Sequence, residues 1–181
     1  MTALPEHDHH PGATPRREAT EAEARALASA VRLRILRLTL DQALTNKEIA
    51  ERLDRNPASV LHHVRRLVDT GFLVAEPVRR GRRGSREVPY RATGKSWTVN
   101  VSGPEARSTG EQAIVAAFLE EIRDIDLART TSTRLGLRLT TEEFAELSAR
   151  IQAILDEFVR RPRSEQGEPI GVFIMAYPDP R

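Results

Sequence analysis

The chain has 181 residues, enough to bury one sizeable core beside an appendage, and a formal net charge of only +2. It contains no cysteine, which excludes disulfides, thiolate metal centres and cysteine nucleophiles. No apolar run approaches the ~20 residues of a membrane span, and no basic-then-apolar leader opens the chain, so a cytoplasmic protein is expected.

The small net charge conceals an uneven distribution. Residues 21–101 carry sixteen Lys and Arg against nine Asp and Glu, a net of +7, whereas residues 102–181 carry ten against fourteen, a net of −4. A basic block followed by an acidic one suggests that the first meets a polyanion and the second does not.

Residues 1–20, "MTALPEHDHHPGATPRREAT", are polar and rich in Pro, Gly and Thr, and read as a disordered arm. The "HDHH" within it has imidazoles that favour transition metals. A tail without a packed surrounding shell would hold a metal weakly, so no metal is assigned there. From residue 21 to residue 40 the pattern is helical, with Leu27, Val31, Ile35 and Leu38 forming one apolar stripe. "LTNKEIAERL" follows. Thr45 and Glu48 have the spacing of a capping box, and Ile49, Ala50 and Leu53 supply the inner face of a short helix.

"DRN" breaks that helix. Asn56 is then an N-cap with Pro57 at the first helical position, where the missing N–H costs nothing. Val60, Val64, Leu67 and Val68 give the next helix its core face, and Gly71 ends it. "FLVAEPV" and "REVPYRA" read as two strands of a hairpin whose connection, "RRGRRGS", is arginine-decorated. "SWTVNVS" alternates as a third strand, and "SGPEARSTG" reads as a linker. In the helix after it, Ile114, Val115, Phe118, Leu119, Ile122 and Ile125 lie along one side. Another capping box, Thr140 to Glu143, opens a second helix in which Phe144, Leu147, Ile151, Ile154 and Phe158 alternate at spacings of three and four. Such a seam packs against another helix. "PIGVFIMAY" has the length of a buried strand over residues 170–177.

The expected fold is therefore mainly α (α+β). It comprises an arm (1–20), a winged helix-turn-helix domain (21–101), and a C-terminal region (102–181) of dimerisation helices and a short terminal strand. In a helix-turn-helix the second helix enters the major groove with its N-terminal residues toward base edges. "LASAVRLRILRLTL", "LTNKEIAERLDRNPASVLHHVRRLVDTGFL" and the basic hairpin together resemble the ArsR-type winged-helix transcriptional regulators of bacteria, over about residues 24–95. The resemblance implies a homodimeric repressor or activator that binds a double-stranded DNA operator, with residues 57–70 as recognition helix. It does not imply a metal. Metal-sensing members bind through Cys or through spaced His/Asp sets on particular helices, and neither occurs on the C-terminal helices of this chain.

Within that frame the adjacent His62 and His63 can be told apart. Neighbours on a helix point about 100° apart, so the pair cannot chelate one ion. His63 lies beside Val60 and Val64 and is expected to be half-buried in the packing. His62 lies on the side of Ser59 and Arg66 and can face DNA. Neither has a nucleophile, a carboxylate partner or an oxyanion loop beside it, so no catalysis is assigned. Ala58 and Ser59, in the first turn, would lie nearest the base edges, with Arg65 and Arg66 on phosphates. Lys47 and Asn56 complete the helical set. Arg79, Arg80, Arg82, Arg83 and Arg86, in a wing over residues 77–87, are the strongest signal, because no acid interrupts them. Leu61 sits near the same face and either packs on the first helix or meets a thymine methyl. Phe118, Ile122, Phe144, Leu147, Ile151, Ile154 and Phe158 are the expected dimer interface, and the same helices leave room for an unidentified small-molecule effector. No cofactor is expected. The competing reading is a winged-helix adaptor that binds protein rather than DNA, which would not need a row of wing arginines.

Overall fold

The computed structural model describes residues 16–81, 84–123, 125–162, 164 and 166–178. Residues 16–125 form one compact unit, and the described residues from Asp126 onward belong to a second. The first unit extends past both ends of the 21–101 block. In chain order it contains β1 (Arg17–Glu18), α1 (Glu21–Leu27), α2 (Ala30–Leu38), β2 (Leu44–Thr45), α3 (Asn46–Leu53), α4 (Pro57–Asp69), β3 (Leu73–Ala75), β4 (Arg79–Arg80), β5 (Arg86–Glu87), β6 (Pro89–Ala92), a 3-10 turn (Lys95–Trp97), β7 (Val99–Asn100) and α5 (Pro104–Glu121). Antiparallel strands in the order β2-β6-β3 make the small sheet, and β4 and β5 continue the β3–β6 hairpin outward as its tip.

The core lies between the helices and this sheet. Ile35 of α2, Ile49 of α3, and Val60, Val64 and Leu67 of α4 are fully buried, closed below by Leu44, Phe72 and Leu73. Local chemistry sets the boundaries. Thr45 accepts from the Glu48 amide while Glu48 accepts from the Thr45 amide, so the capping box of α3 is complete. Asp54, at φ 50°, ends α3 in the left-handed region. At the far end of α4, Gly71 has φ 71°; its N–H reaches Val68 and that of Phe72 reaches Leu67, the paired bonds of a Schellman motif.

Four expectations need correction. The helix over 21–40 is two helices. Ser29 is extended (φ −157°), and the freed end of α1 is satisfied from a distance: the Arg32 guanidinium donates to the Ala26 and Arg25 carbonyls at 2.5 and 2.6 Å. The third strand is only Val99–Asn100, and its partner is β1, in parallel, at the end of the expected disordered arm. A second capping box, Thr20 with Glu23, fixes that segment. The supposed linker 102–110 is helical from Pro104, with proline at the first position of α5. Lastly, residues 170–178 form no strand; Ile170, Val172, Ile174, Met175 and Tyr177 are exposed among them.

The inward face of α5 lies outside the apolar side read from its sequence. Ala113 and Ala117 are its buried residues, whereas Ile114, Leu119 and, beyond the helix, Ile125 are exposed. α5 packs against α2 and α1. Three ion pairs then tie its end down, with Arg34 to Glu120, Arg37 to Glu121 at 3.2 Å, and Arg55 to Glu120 at 3.9 Å. Burial raises the Glu121 carboxyl pKa, against the influence of Arg37 and Arg34.

In the second unit, a 3-10 turn (Leu127–Arg129) precedes α6 (Thr141–Arg160). Its Thr140–Glu143 capping box is complete. Phe144, Leu147 and Ile151 are half-buried; Ile154 and Phe158 are exposed, and the Arg161 guanidinium lies 3.8 Å from the Phe158 ring centre.

Candidate nucleic-acid interface

α4 begins where Asn56 makes it begin. The Asn56 carboxamide oxygen accepts from the Ala58 amide at 2.8 Å, and Pro57 supplies a preset φ. The first turn is also fixed to α3, because the Asn46 side-chain amide donates to the Pro57 carbonyl at 2.9 Å. With Val60, Val64 and Leu67 turned inward, the 100° step leaves Ala58, Ser59, His62 and Arg65 exposed together on one side. Arg66 lies on the same side but is half-buried, and Leu61 is half-buried at its margin. Asn56 is exposed, but its side-chain oxygen is occupied by capping. Lys47 stands exposed on α3, 3.8 Å from Glu51 one turn on.

The two histidines separate as their spacing requires. His62 is exposed and His63 half-buried, with their rings edge to face at 5.8 Å. Nδ1 of His63 lies 3.5 Å from the Arg32 guanidinium, the group that caps α1. Burial, then the charges of Arg32, His62 and Arg55, push the His63 pKa below its ordinary value. Burial also lowers the Arg32 pKa, assisted by Arg66.

The wing has two different faces. In the β4–β5 pair Arg79 stands opposite Glu87, and Arg80 opposite Arg86. Because successive residues on a strand face opposite ways, these pairs occupy opposite sides of the ribbon. On one side the Arg79 guanidinium donates to both Glu48 carboxylate oxygens, at 2.6 and 2.7 Å, and lies 3.6 Å from Glu87. Bonds from Thr45, reinforced by Arg79, hold the Glu48 pKa below the usual carboxylate range despite some burial. On the other side Arg80 and Arg86 are exposed, two like charges directly across the ladder. Such a pair is unfavourable in the free protein and is relieved by an anion. Arg82 and Arg83, expected in the same set, lie outside the described residues, as does the "HDHH" segment.

At the base of the wing Arg91 pairs with Glu76 and donates to the Asp41 carbonyl. Glu23 is a charged hub absent from the sequence reading. Only 5 % exposed, it accepts from Arg17 at 2.6 and 2.8 Å and from the Thr20 amide at 2.8 Å, and pairs with Lys95 at 2.6 Å. Arg17, Lys95 and the Thr20 amide hold its pKa far below the usual carboxylate range. The T-x-x-E spacing of Thr20 and Glu23 was the signal available for this hub.

These elements define a winged helix-turn-helix: a short α3, a tight turn, a capped and half-exposed α4, and a hairpin beside them. The family model described as a helix-turn-helix domain matches residues 27–80, within the segment that resembles ArsR-type regulators. Among solved structures, HlyU from Vibrio cholerae, in its reduced form, is 20 % identical, with 57 % of this chain covering 87 % of that one at a TM-score of 0.34. A ZitR variant from Lactococcus lactis is 21 % identical, covering 72 % and 75 % at a TM-score of 0.33. MepR from S. aureus, in complex with DNA, is 15 % identical, covering 77 % and 80 % at 0.28. No curated protein sequence matches the chain. Among the described residues no helix is long and apolar enough to cross a membrane.

Proposed function

We propose that the protein is a cytoplasmic, sequence-specific DNA-binding transcriptional regulator that acts as a homodimer. One observation carries the reading: the exposed side of α4 presents Ser59, His62 and Arg65, and the nearby wing bears the opposed cations Arg80 and Arg86. In this reading α4 enters the major groove. Ser59 and His62 face base edges, and Arg65 and Arg66 face phosphates together with the wing. Arg82 and Arg83 would add to the same phosphate contacts.

Dimerisation is proposed through the C-terminal helices. The exposed residues Ile114 and Leu119 on α5 and Ile154 and Phe158 on α6, with Phe118, Ile122, Phe144, Leu147 and Ile151, offer apolar surface that a second copy would cover. An unidentified effector acting on these helices would be the means of regulation. Selection of genomic fragments by the purified protein, followed by a salt titration of the recovered site, tests the reading. Two subunits that each place about three to five cations on phosphates should give a log–log salt slope of roughly −5 to −9. A flat dependence, or no binding at low salt, refutes it and leaves the protein-binding adaptor. Sedimentation at micromolar concentration tests the dimer, which a monomer near 20.3 kDa would exclude.

A further inference from the structure

One of the five arginines that the sequence assigns to the wing is already engaged by the fold. We propose that Arg79 is a positioning residue: clamped between Glu87 across the hairpin and Glu48 on the first turn of α3, it latches the wing to the helix-turn-helix and holds Arg80 and Arg86 on the opposite, outward side. That the outward side meets DNA rests on the reading given above; the latch itself does not.

Four observations converge on it. The register puts Arg79 and Glu87 on one face of the ribbon and Arg80 and Arg86 on the other, so one side chain cannot share the other's partner. The Arg79 guanidinium has both Glu48 oxygens within 2.7 Å, and Glu87 lies 3.6 Å from its Nε. Reaching a phosphate would mean leaving two carboxylates. Gly81 also leaves the space this arrangement needs, since a Cβ there would overlap the Glu87 carboxylate. Glu48 is itself immobilised, because one of its oxygens accepts from the Thr45 amide and hydroxyl at 2.7 and 2.9 Å. The acceptor of the latch is thus the cap that starts α3, and the wing takes its orientation from the helix whose neighbour α4 enters the groove.

The decisive substitution is Glu48→Gln. Glutamine still completes a capping box, so α3 keeps its start, while the ion pair to Arg79 is lost. Removing a negative charge near a polyanion should by charge alone tighten binding; loss of the latch should loosen it. Binding of a mixed-sequence duplex is followed across a salt series for the wild type, Glu48→Gln, Arg79→Gln and the double variant. Partly exposed ion pairs have modest strength, so we expect affinity to fall about threefold in each single variant and no further in the double. The salt slope of Arg79→Gln should match that of the wild type, whereas Arg80→Gln and Arg86→Gln should each flatten it by about one unit per subunit.

A second arm needs no DNA. Trypsin cleavage after Arg80 or Arg86 in the free protein, read by mass spectrometry, should quicken about threefold in both Glu48→Gln and Arg79→Gln. The latch is overturned if Glu48→Gln binds as well as the wild type or better, if Arg79→Gln flattens the salt slope, if the two losses add, or if cleavage does not change. Should the wild type not bind the duplex at low salt, the DNA-binding reading fails, and the cleavage rates alone decide the latch.

Discussion

The recognition helix and the wing are both basic, yet opposite kinds of interaction hold them in place. α4 is anchored by Val60, Val64 and Leu67, all fully buried, and its exposed side is left over from that packing. The described residues of the wing bury almost nothing: its strands β4 and β5 have two residues each, and ions orient it through Arg79 with Glu48 and Glu87, and Arg91 with Glu76. Apolar anchoring does not depend on the screening of charge, whereas ionic anchoring is weakened by salt and is lost in acid as the carboxylates protonate. The element proposed to read bases is therefore held rigidly, and the one proposed to grip phosphates is held adjustably.

Truncating the apolar anchor should do the most damage. Leu67→Ala removes a side chain with no exposure from the centre of the core, and should cost about 2–5 kcal/mol of stability in chemical denaturation. The loss should be the same at low and high salt. A salt-dependent loss would mean that α4 depends on the charges around it and would collapse the contrast.

The Glu23 hub tests the ionic side in its most buried form. Glu23→Ala leaves Arg17, Lys95 and the Thr20 amide without their shared acceptor, and should cost about 1–3 kcal/mol at neutral pH. The folded-state pKa of Glu23 is depressed, so its contribution is present above the unfolded-state value near ~4.3 and disappears as the pH falls below it. The gap between wild type and variant should accordingly narrow in acid. A gap that stays constant to pH 3 would show that packing, not charge, is what the substitution removed.

Asn56→Ala probes the junction between the two regimes, since it removes the acceptor of the Ala58 amide without touching the core. About 1 kcal/mol should be lost. Ser at the same position should recover most of it, because its hydroxyl can accept the same bond, and a failure of Ser to recover any would exclude capping as the cause.

How far the sequence foretold this structure depends on the range of each interaction. The caps at Thr45, Asn56 and Thr140, the Gly71 terminus and the division of His62 from His63 are settled within four residues, and all were readable. The break after α1 was not, because Arg32 folds back on Ala26 and Arg25 rather than standing at a recognisable cap position. Pairing of β1 with β7 joins residues about eighty positions apart, and the Ala113 and Ala117 that α5 buries lie outside the apolar side read from its sequence. Arg79 shows the same effect at the site. It is one of five arginines by composition, and only its contact with Glu48, 31 residues earlier, sets it apart. Arg82 and Arg83 remain expectations of the sequence alone.

The smallest expected effect concerns His63, a polar side chain of α4 whose place is set by both regimes. Its ring packs half-buried beside the apolar anchor while Arg32, Arg55 and His62 bring positive charge to it from α2, the turn and α4 itself. Burial and those charges disfavour the protonated ring, so its folded-state pKa lies below the unfolded value near ~6.5. The unfolded chain then binds the proton first, and stability falls as the pH drops from about 7 through that value. Thermal melts between pH 7.5 and 5.5 should show a decline in the wild type that is reduced in His63→Gln. The same variant should be less stable than the wild type at pH 7.5, where the neutral ring packs unopposed. His62→Gln, altering an exposed ring, should leave the decline nearly intact. If instead His62→Gln abolished it and His63→Gln did not, the inward and outward faces of α4 would have to be exchanged by one residue, and the exposed set of Ser59, His62 and Arg65 would no longer be the side offered to DNA.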